Sequence, residues 1–306
     1  MSLIKKITDN IERVIFGKKT AVEELIAAFL AGGHVLIEDV PGVGKTKLAD
    51  ALARSVDGRF NRLQLTPDIM PSDIIGFSII EKETGTMTFK PGAADCNILL
   101  ADEINRASPK TQSALLEIME EHQISLDGQT HPLPNPYMVI ATENPVETYG
   151  TYHLPEAQMD RFAIKMSIGY PDSDSELQIL AQNEFNSPEI SPVITTAEAV
   201  GLIESVKYIK ASDSLRSYIT EIAAASRQSP AIRLGISPRG SLTLLKISKS
   251  FAAINEREFI TPDDIKRAAM ITLPHRITLS QKGKTAYKNT SEAVENILET
   301  VKVPKE

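Results

Sequence analysis

The stretch "EDVPGVGKTKLAD", Glu38 to Asp50, holds residue types suited to gripping a chain of phosphates. A phosphate-binding loop is written G-x-x-x-x-G-K-[ST], and Gly44, Lys45 and Thr46 fill its last three places. Gly42 and Gly44 let backbone N–H groups turn inward around phosphate oxygens. A helix opening at Lys45 adds the positive end of its dipole. Lys45 would reach the β- and γ-phosphates, and the Thr46 hydroxyl would ligate a magnesium ion. Pro41, Val43 and Lys47 complete the predicted nucleotide contacts. One residue departs from the pattern: Asp39 stands where the first glycine belongs. An ordinary strand–turn–helix with a glycine turn is the competing reading of this loop alone.

Four more stretches bear on the same chemistry. "NILLADEI" is an apolar strand ending in Asp102-Glu103. The first carboxylate could hold the metal through water, and the second could polarise an attacking water. "YMVIATENP" is another apolar strand, ending at Thr142-Glu143-Asn144. The Asn144 amide could hydrogen-bond the γ-phosphate or the lytic water, although Asn144-Pro145 also reads as a turn. "LPEAQMDRF" puts Asp160-Arg161 just before the last strand, and "GISPRGSL" puts Arg239 at the start of a helix. Taken alone, either arginine reads as a solvated surface charge.

The elements that must position these groups are legible from periodicity. Short apolar runs at His34–Glu38, Arg62–Leu65, Asn97–Asp102, Tyr137–Thr142 and Phe162–Ile168 read as strands, the third and fourth buried on both faces. Helical patterns separate them: Lys45–Val56 gathers Leu48, Ala49, Leu52, Ala53 and Val56 on one face, and "SPKTQSALLEIMEE" opens on Ser-Pro. Strands alternating with helices predict a parallel α/β sheet. From residue 171 the pattern turns helical, at Ser173–Asn186, Thr196–Tyr208, Ser212–Ala225, Pro238–Ile254 and Pro262–Met270. The last opens "TPDD", a capping box from Thr261 to Asp264 with Pro262 in first position. The expected organisation is an α/β nucleotide-binding domain over 1–170 and a smaller helical lid domain over 171–306.

Composition narrows the class. A chain of 306 residues with 42% apolar content can bury a sizeable core. A net charge of −7 argues against nonspecific nucleic-acid binding. The single cysteine, Cys96, forbids an intrachain disulfide and suits a reducing compartment. With no apolar run near the ~18 residues of a membrane span and no signal-peptide core, the chain reads as soluble and cytoplasmic.

Taken in order, these motifs make the sequence resemble the AAA+ ATPases, and specifically the MoxR family, from about Val14 to Ile277. The stretches that carry the resemblance are "EDVPGVGKT", "LLADEINRASPKTQSALLEIMEE", "ATENPVETYGTYHLPEAQMDRF" and "GISPRG". The family tolerates a non-glycine residue at the place of Asp39, and His153, where members commonly carry proline, reads as a neutral departure. The resemblance implies a three-layer α/β/α P-loop domain followed by an all-α lid. It makes Gly42, Gly44, Lys45 and Thr46 the Walker A residues, Asp102 and Glu103 the Walker B pair, and Asn144 sensor 1. Arg161 becomes an arginine finger serving a neighbouring subunit. Arg239 becomes sensor 2, linking the lid to the γ-phosphate of its own subunit. Ile15, Phe16 and Gly17, in "VIFGKK", become adenine contacts. ATP and Mg²⁺ are the implied cofactors, and a homo-oligomer, most simply a hexameric ring, the implied assembly. Family members act as chaperone-like ATPases on protein clients, often with von Willebrand factor A domain proteins.

Two segments fit the same placement. "GFSIIEKETGTMTFKPG" reads as two short strands around Thr84-Gly85. "QISLDGQTHPLP" carries Asp127-Gly128, a strong two-residue hairpin signal. The alternatives are a magnesium-chelatase-type ATPase subunit and a DNA-acting motor. The second would want a basic hairpin tip, and Asp127-Gly128 offers none. The five histidines form no H-E-x-x-H, so no protein-held zinc is expected. Neither a serine-hydrolase elbow nor a dinucleotide G-x-G-x-x-G is present.

Overall fold

The computed structural model describes residues 2–82, 85–145, 150–184 and 189–304. In chain order, helices α1 (Leu3–Glu12) and α2 (Lys19–Leu30) precede strand β1 (His34–Glu38), helix α3 (Lys45–Ser55) and strand β2 (Phe60–Gln64). A short helix α4 (Pro71–Ile75) leads into the hairpin β3 (Gly76–Ile80) and β4 (Met87–Pro91), then β5 (Ile98–Asp102) and α5 (Pro109–Glu121). A second hairpin, β6 (Gln123–Leu126) and β7 (Gln129–Pro132), comes before β8 (Met138–Glu143), α6 (Glu156–Met159) and β9 (Phe162–Met166). The remainder is α7 (Ser173–Glu184), α8 (Thr196–Lys207), α9 (Asp213–Gln228), β10 (Ile232–Leu234), α10 (Pro238–Ile254), α11 (Pro262–Thr272), β11 (Thr278–Leu279), α12 (Gln281–Ala286) and α13 (Thr290–Thr300).

The five predicted strands form one parallel sheet in the order β2–β5–β8–β1–β9. The central strands β1, β5 and β8 are almost wholly buried. Helices cover both faces of such a sheet, which is why these strands read as unbroken apolar runs rather than alternating ones. β1 lies between β8 and β9 while the chain leaves it for β2 at the far edge. The strand order therefore reverses at β1, and a crevice opens beyond its carboxyl end.

Both hairpins form. In the second, Asp127 and Gly128 take φ of 50° and 75°, the left-handed pair that a tight turn with the strands' own twist requires. In the first, Thr84 lies outside the described residues. So do Phe185 and Asn186, which end the helix expected over 173–186.

The second region is helical, and its Thr261–Asp264 capping box is made in both directions. A two-stranded ribbon, β10–β11, interrupts it where all helix was expected. This region packs its α10 against α2, and its α11 against β9. One apolar cluster consequently runs from Ile26, Leu30 and Ile164 into Ile247, Phe251 and Ile265. Sandwiched in this way, α2 is buried from Leu25 to Leu30 on every side. It has no polar stripe there to give a helical period. Among the described residues no helix is long and apolar enough to cross a membrane.

Candidate active site

The loop after β1 reaches its shape through two glycines. Gly42 and Gly44 sit at φ of 87° and 98°, and Gly44 is the N-cap of α3. A Cβ at either would meet no protein atom within 4 Å, so open space lies over this backbone. Positive-φ glycines turning N–H groups toward open space, at the start of a helix of 11 residues, make an anion cradle. Lys45 Nζ lies 2.8 Å from the Asp39 carbonyl, at the root of the same loop. Thr46 follows in the first turn, half-buried, with Pro41 and Lys47 exposed and Val43 packed on the core. The donor set fits the implied groups: N–H groups and an ammonium for phosphate, a hydroxyl and a carboxylate for magnesium.

Two strands away, Asp102 ends β5. Its Oδ1 accepts the Thr142 hydroxyl at 2.6 Å, and its Oδ2 accepts from Arg62 at 2.6 Å. The guanidinium is a cation already seated on the carboxylate that would face a metal. Glu103 adopts φ 58° and ψ 54°, a left-handed conformation uncommon for a residue with a Cβ and characteristic of functional turns. Its amide donates to Thr142 Oγ1 at 2.9 Å, and its carboxylate pairs with Arg106 at 3.0 Å. Thr142 thus clamps both acids from the neighbouring strand β8. Asn144 lies buried just past β8, at the same end of the sheet. Beside it, burial raises the carboxyl pKa of Glu143.

Sequence reasoning gave no role to Thr142, Arg62 or Arg106. For Thr142 the signal was a hydroxyl at the end of an apolar strand. For Arg62 it was the β2–β5 register, which pairs Gln64 with Asp102 and makes Arg62 the diagonal neighbour of that carboxylate.

The two arginines lie elsewhere. Arg161 immediately precedes β9, whose Phe162 pairs with His34 at the amino end of β1. Arg239, at the start of α10, comes to the same place. Glu120 accepts from both, Arg239 at 2.9 Å and Arg161 at 3.1 Å. Glu120 is fixed there because His34 Nε2 donates to Met119 O at 2.8 Å, while its Nδ1 accepts from Val139 N at 2.9 Å. Burial pushes the pKa of this neutral ring down to about 4. A cavity of about 320 Å³ at this end also takes in Lys246. β1 spans five residues, about 16 Å at the usual rise, so the arginines and the phosphate loop occupy opposite ends of the sheet. In this structure Arg239, expected to close onto its own subunit's γ-phosphate, sits on Glu120 at the far end of β1 from the loop. The packing of α10 on α2 carries it away from that loop.

Asp160, beside Arg161, is held by Arg276, which also donates to the carbonyls of Asp160, Phe162, Ala163 and Thr272. Burial presses the Arg276 pKa down to about 10, against the pull of Asp160.

The segment implied for adenine packs on the strap after β9. Lys18 Nζ donates to Tyr170 O at 2.5 Å. Gly17, at φ 65°, presses so closely on Ser175 that a Cβ would fall 2.0 Å from its Oγ. Ile15 is buried and Phe16 half-buried. In the chain between Asn144 and Arg161, residues 146–149 lie outside the described set.

Comparison with known proteins gives a consistent picture. Residues 34–164 match the model of the ATPase family associated with various cellular activities (AAA), and residues 224–297 match the AAA lid domain. The chain is 46% identical to the uncharacterized protein YeaC of Bacillus subtilis, over 99% of this chain and 95% of that one. It is 36% identical to Chaperone MoxR1 of Mycobacterium tuberculosis, over 96% of this chain and 81% of the relative. To Protein MoxR of Methylorubrum extorquens it is 31% identical, over 88% and 86%. A crystal structure of a Cytophaga hutchinsonii protein provisionally assigned as an ATPase superposes with a TM-score of 0.92. That protein is 36% identical, with 99% of this chain and 95% of that chain covered.

Proposed function

The chain belongs to the MoxR family of AAA ATPases, and we propose that it hydrolyses ATP with magnesium in a ring whose subunits complete one another's sites. The observation that carries this reading is the separation of parts. Cradle and acids gather at the carboxyl end of the sheet, while Arg161 and Arg239 share one carboxylate at the other end. A ring built head to tail brings one subunit's amino end against the next subunit's carboxyl end.

In this reading the loop residues Pro41 to Lys47 hold the triphosphate, with Lys45 leaving the Asp39 carbonyl for phosphate oxygen. Thr46 and Asp102 hold magnesium, which when bound neutralises charge on the β- and γ-phosphates. Glu103, fixed by its strained backbone and Thr142, polarises the lytic water, and Asn144 orients it. Arg161 and Arg239 leave Glu120 for the neighbour's γ-phosphate and stabilise the charge that builds there. Residues from 171 on then act less as a lid on their own nucleotide than as the carrier of Arg239.

A chaperone-like role on a protein client suits the surface. The β3–β4 hairpin exposes Phe77, Ile79, Ile80 and Met87, apolar side chains of the kind that contact protein rather than nucleic acid. A von Willebrand factor A domain partner remains part of this proposal, on family resemblance. The decisive experiment compares two variants. Lys45→Ala should lose ATP binding, whereas Glu103→Gln should keep binding and lose turnover. Hydrolysis by Glu103→Gln at the parent rate would place the base elsewhere.

A further inference from the structure

Asp39, the residue that breaks the loop pattern, is a junction. It is buried, and its three polar groups each reach a different part of the site. Its amide donates to Glu143 O at the end of β8, next to Asn144. Its carbonyl holds Lys45. Its carboxylate oxygen Oδ2 accepts from Ile168 N at 2.7 Å, Gly169 N at 2.7 Å and Ser167 Oγ at 3.1 Å. The other oxygen accepts from Val40 N at 3.0 Å. Glycine, the residue of the common motif, could make none of the side-chain contacts.

The strap 167–170 lies on the β9 side of β1, whereas Asp102 and Glu103 lie on the β8–β5 side. The hydrolysed end of a triphosphate in the loop therefore points toward β5. Its base end falls toward the strap and the Gly17–Lys18 segment that the strap braces.

We infer that Asp39 is a positioning residue that sets the spacing between the two ends of the nucleotide site. It ties the strap walling the base to the root of the loop holding the phosphates. This inference rests on the reading of the loop as an ATP site. Three hydrogen bonds onto one carboxylate oxygen are charge-assisted and stronger than neutral ones, so this tie is stiff. Its loss should penalise a ligand that engages both ends and spare one that engages the phosphates alone.

The test is calorimetric binding of the magnesium complexes of ATP and of tripolyphosphate to the full chain. Asp39→Asn keeps the size of the side chain, loses its charge and sets an NH₂ group among donors. It should weaken ATP by about tenfold or more and tripolyphosphate by less than about twofold. Ser167→Ala, which removes one donor and leaves the buried amides paired, should show the same split at about threefold. It decides the matter if the Asp39→Asn protein does not fold. Lys45→Ala should lose both ligands. Equal weakening of ATP and tripolyphosphate by the Asp39 and Ser167 variants would reduce Asp39 to a structural prop of the loop and overturn the inference. Parent-like ATP binding in those variants, with Lys45→Ala defective, would overturn it too. ATP binding unchanged by Lys45→Ala would instead remove the ATP-site reading on which the inference stands.

Discussion

The shared placement of Arg161 and Arg239 leads to a prediction that separates two ring mechanisms. The distance from the amino end of β1 to the phosphate loop is about 16 Å. Arg161 is held at that end by the start of β9, and Arg239 by the packing of α10 on α2, so both guanidinia face away from their own loop. Arg161→Ala should bind ATP nearly as the parent does and hydrolyse it about 10³–10⁵ more slowly, the range for arginine fingers. Arg239→Ala should lose turnover in the same sense. Each is then mixed in equal amounts with Lys45→Ala under conditions where subunits exchange. A productive interface needs an intact loop from one subunit and intact arginines from the next, which random mixing supplies at about one interface in four. Both mixtures should therefore recover up to about a quarter of parent turnover. The third mixture, Arg161→Ala with Arg239→Ala, is the discriminating one. If one subunit donates both arginines, no interface in that mixture is complete and nothing returns. If Arg239 served its own nucleotide, about a quarter of the interfaces would be restored. Steady-state phosphate release gives the rates, and native mass spectrometry shows whether mixed oligomers form. Recovery in the third mixture would refute the placement argued here. No recovery in the first, with mixed oligomers present, would mean that Arg161 acts within its own subunit or not at all, and would refute the sharing of sites between subunits.

Two further predictions concern stability. Arg276→Leu should cost about 3–5 kcal/mol in chemical denaturation, since it leaves Asp160 facing the protein interior without its partner and unpairs several carbonyls. His34 is held neutral, with a folded pKa of about 4 against an ordinary 6.5, so the unfolded chain binds the extra proton between those values. Stability from this group is therefore present above about pH 6.5 and lost as pH falls toward 4, by up to about 3 kcal/mol. The urea midpoint of the parent should fall more steeply than that of His34→Gln across this window. His275 and His122, also lowered by burial, and Glu24, raised to about 7 by burial, occur in both proteins and cancel in the difference.

What the sequence revealed and what it hid divide along a physical line. The strands, the loop glycines and the Asp127-Gly128 turn were legible because each is fixed by its own few residues. An apolar run bounded by a turn, a φ only glycine takes freely and a hairpin dipeptide are local facts. Thr142 was half legible: its strand was plain, but its hold on Asp102 and Glu103 depends on β8 pairing with β5. Asp39 was visible only as a defect in a motif. Its use is set by Ser167 to Gly169, more than a hundred residues away, and no spacing rule brings those to it. Arg239 was legible in its local setting and not in its place in the fold. Its local setting, a Ser-Pro helix opening, was read correctly as the start of α10. Its place depends on where α10 comes to rest, and that is decided by the burial of apolar α2 residues against Ile247 and Phe251. A motif fixes which atoms a residue can offer. The packing of the element that carries it decides which nucleotide, its own or a neighbour's, those atoms can meet.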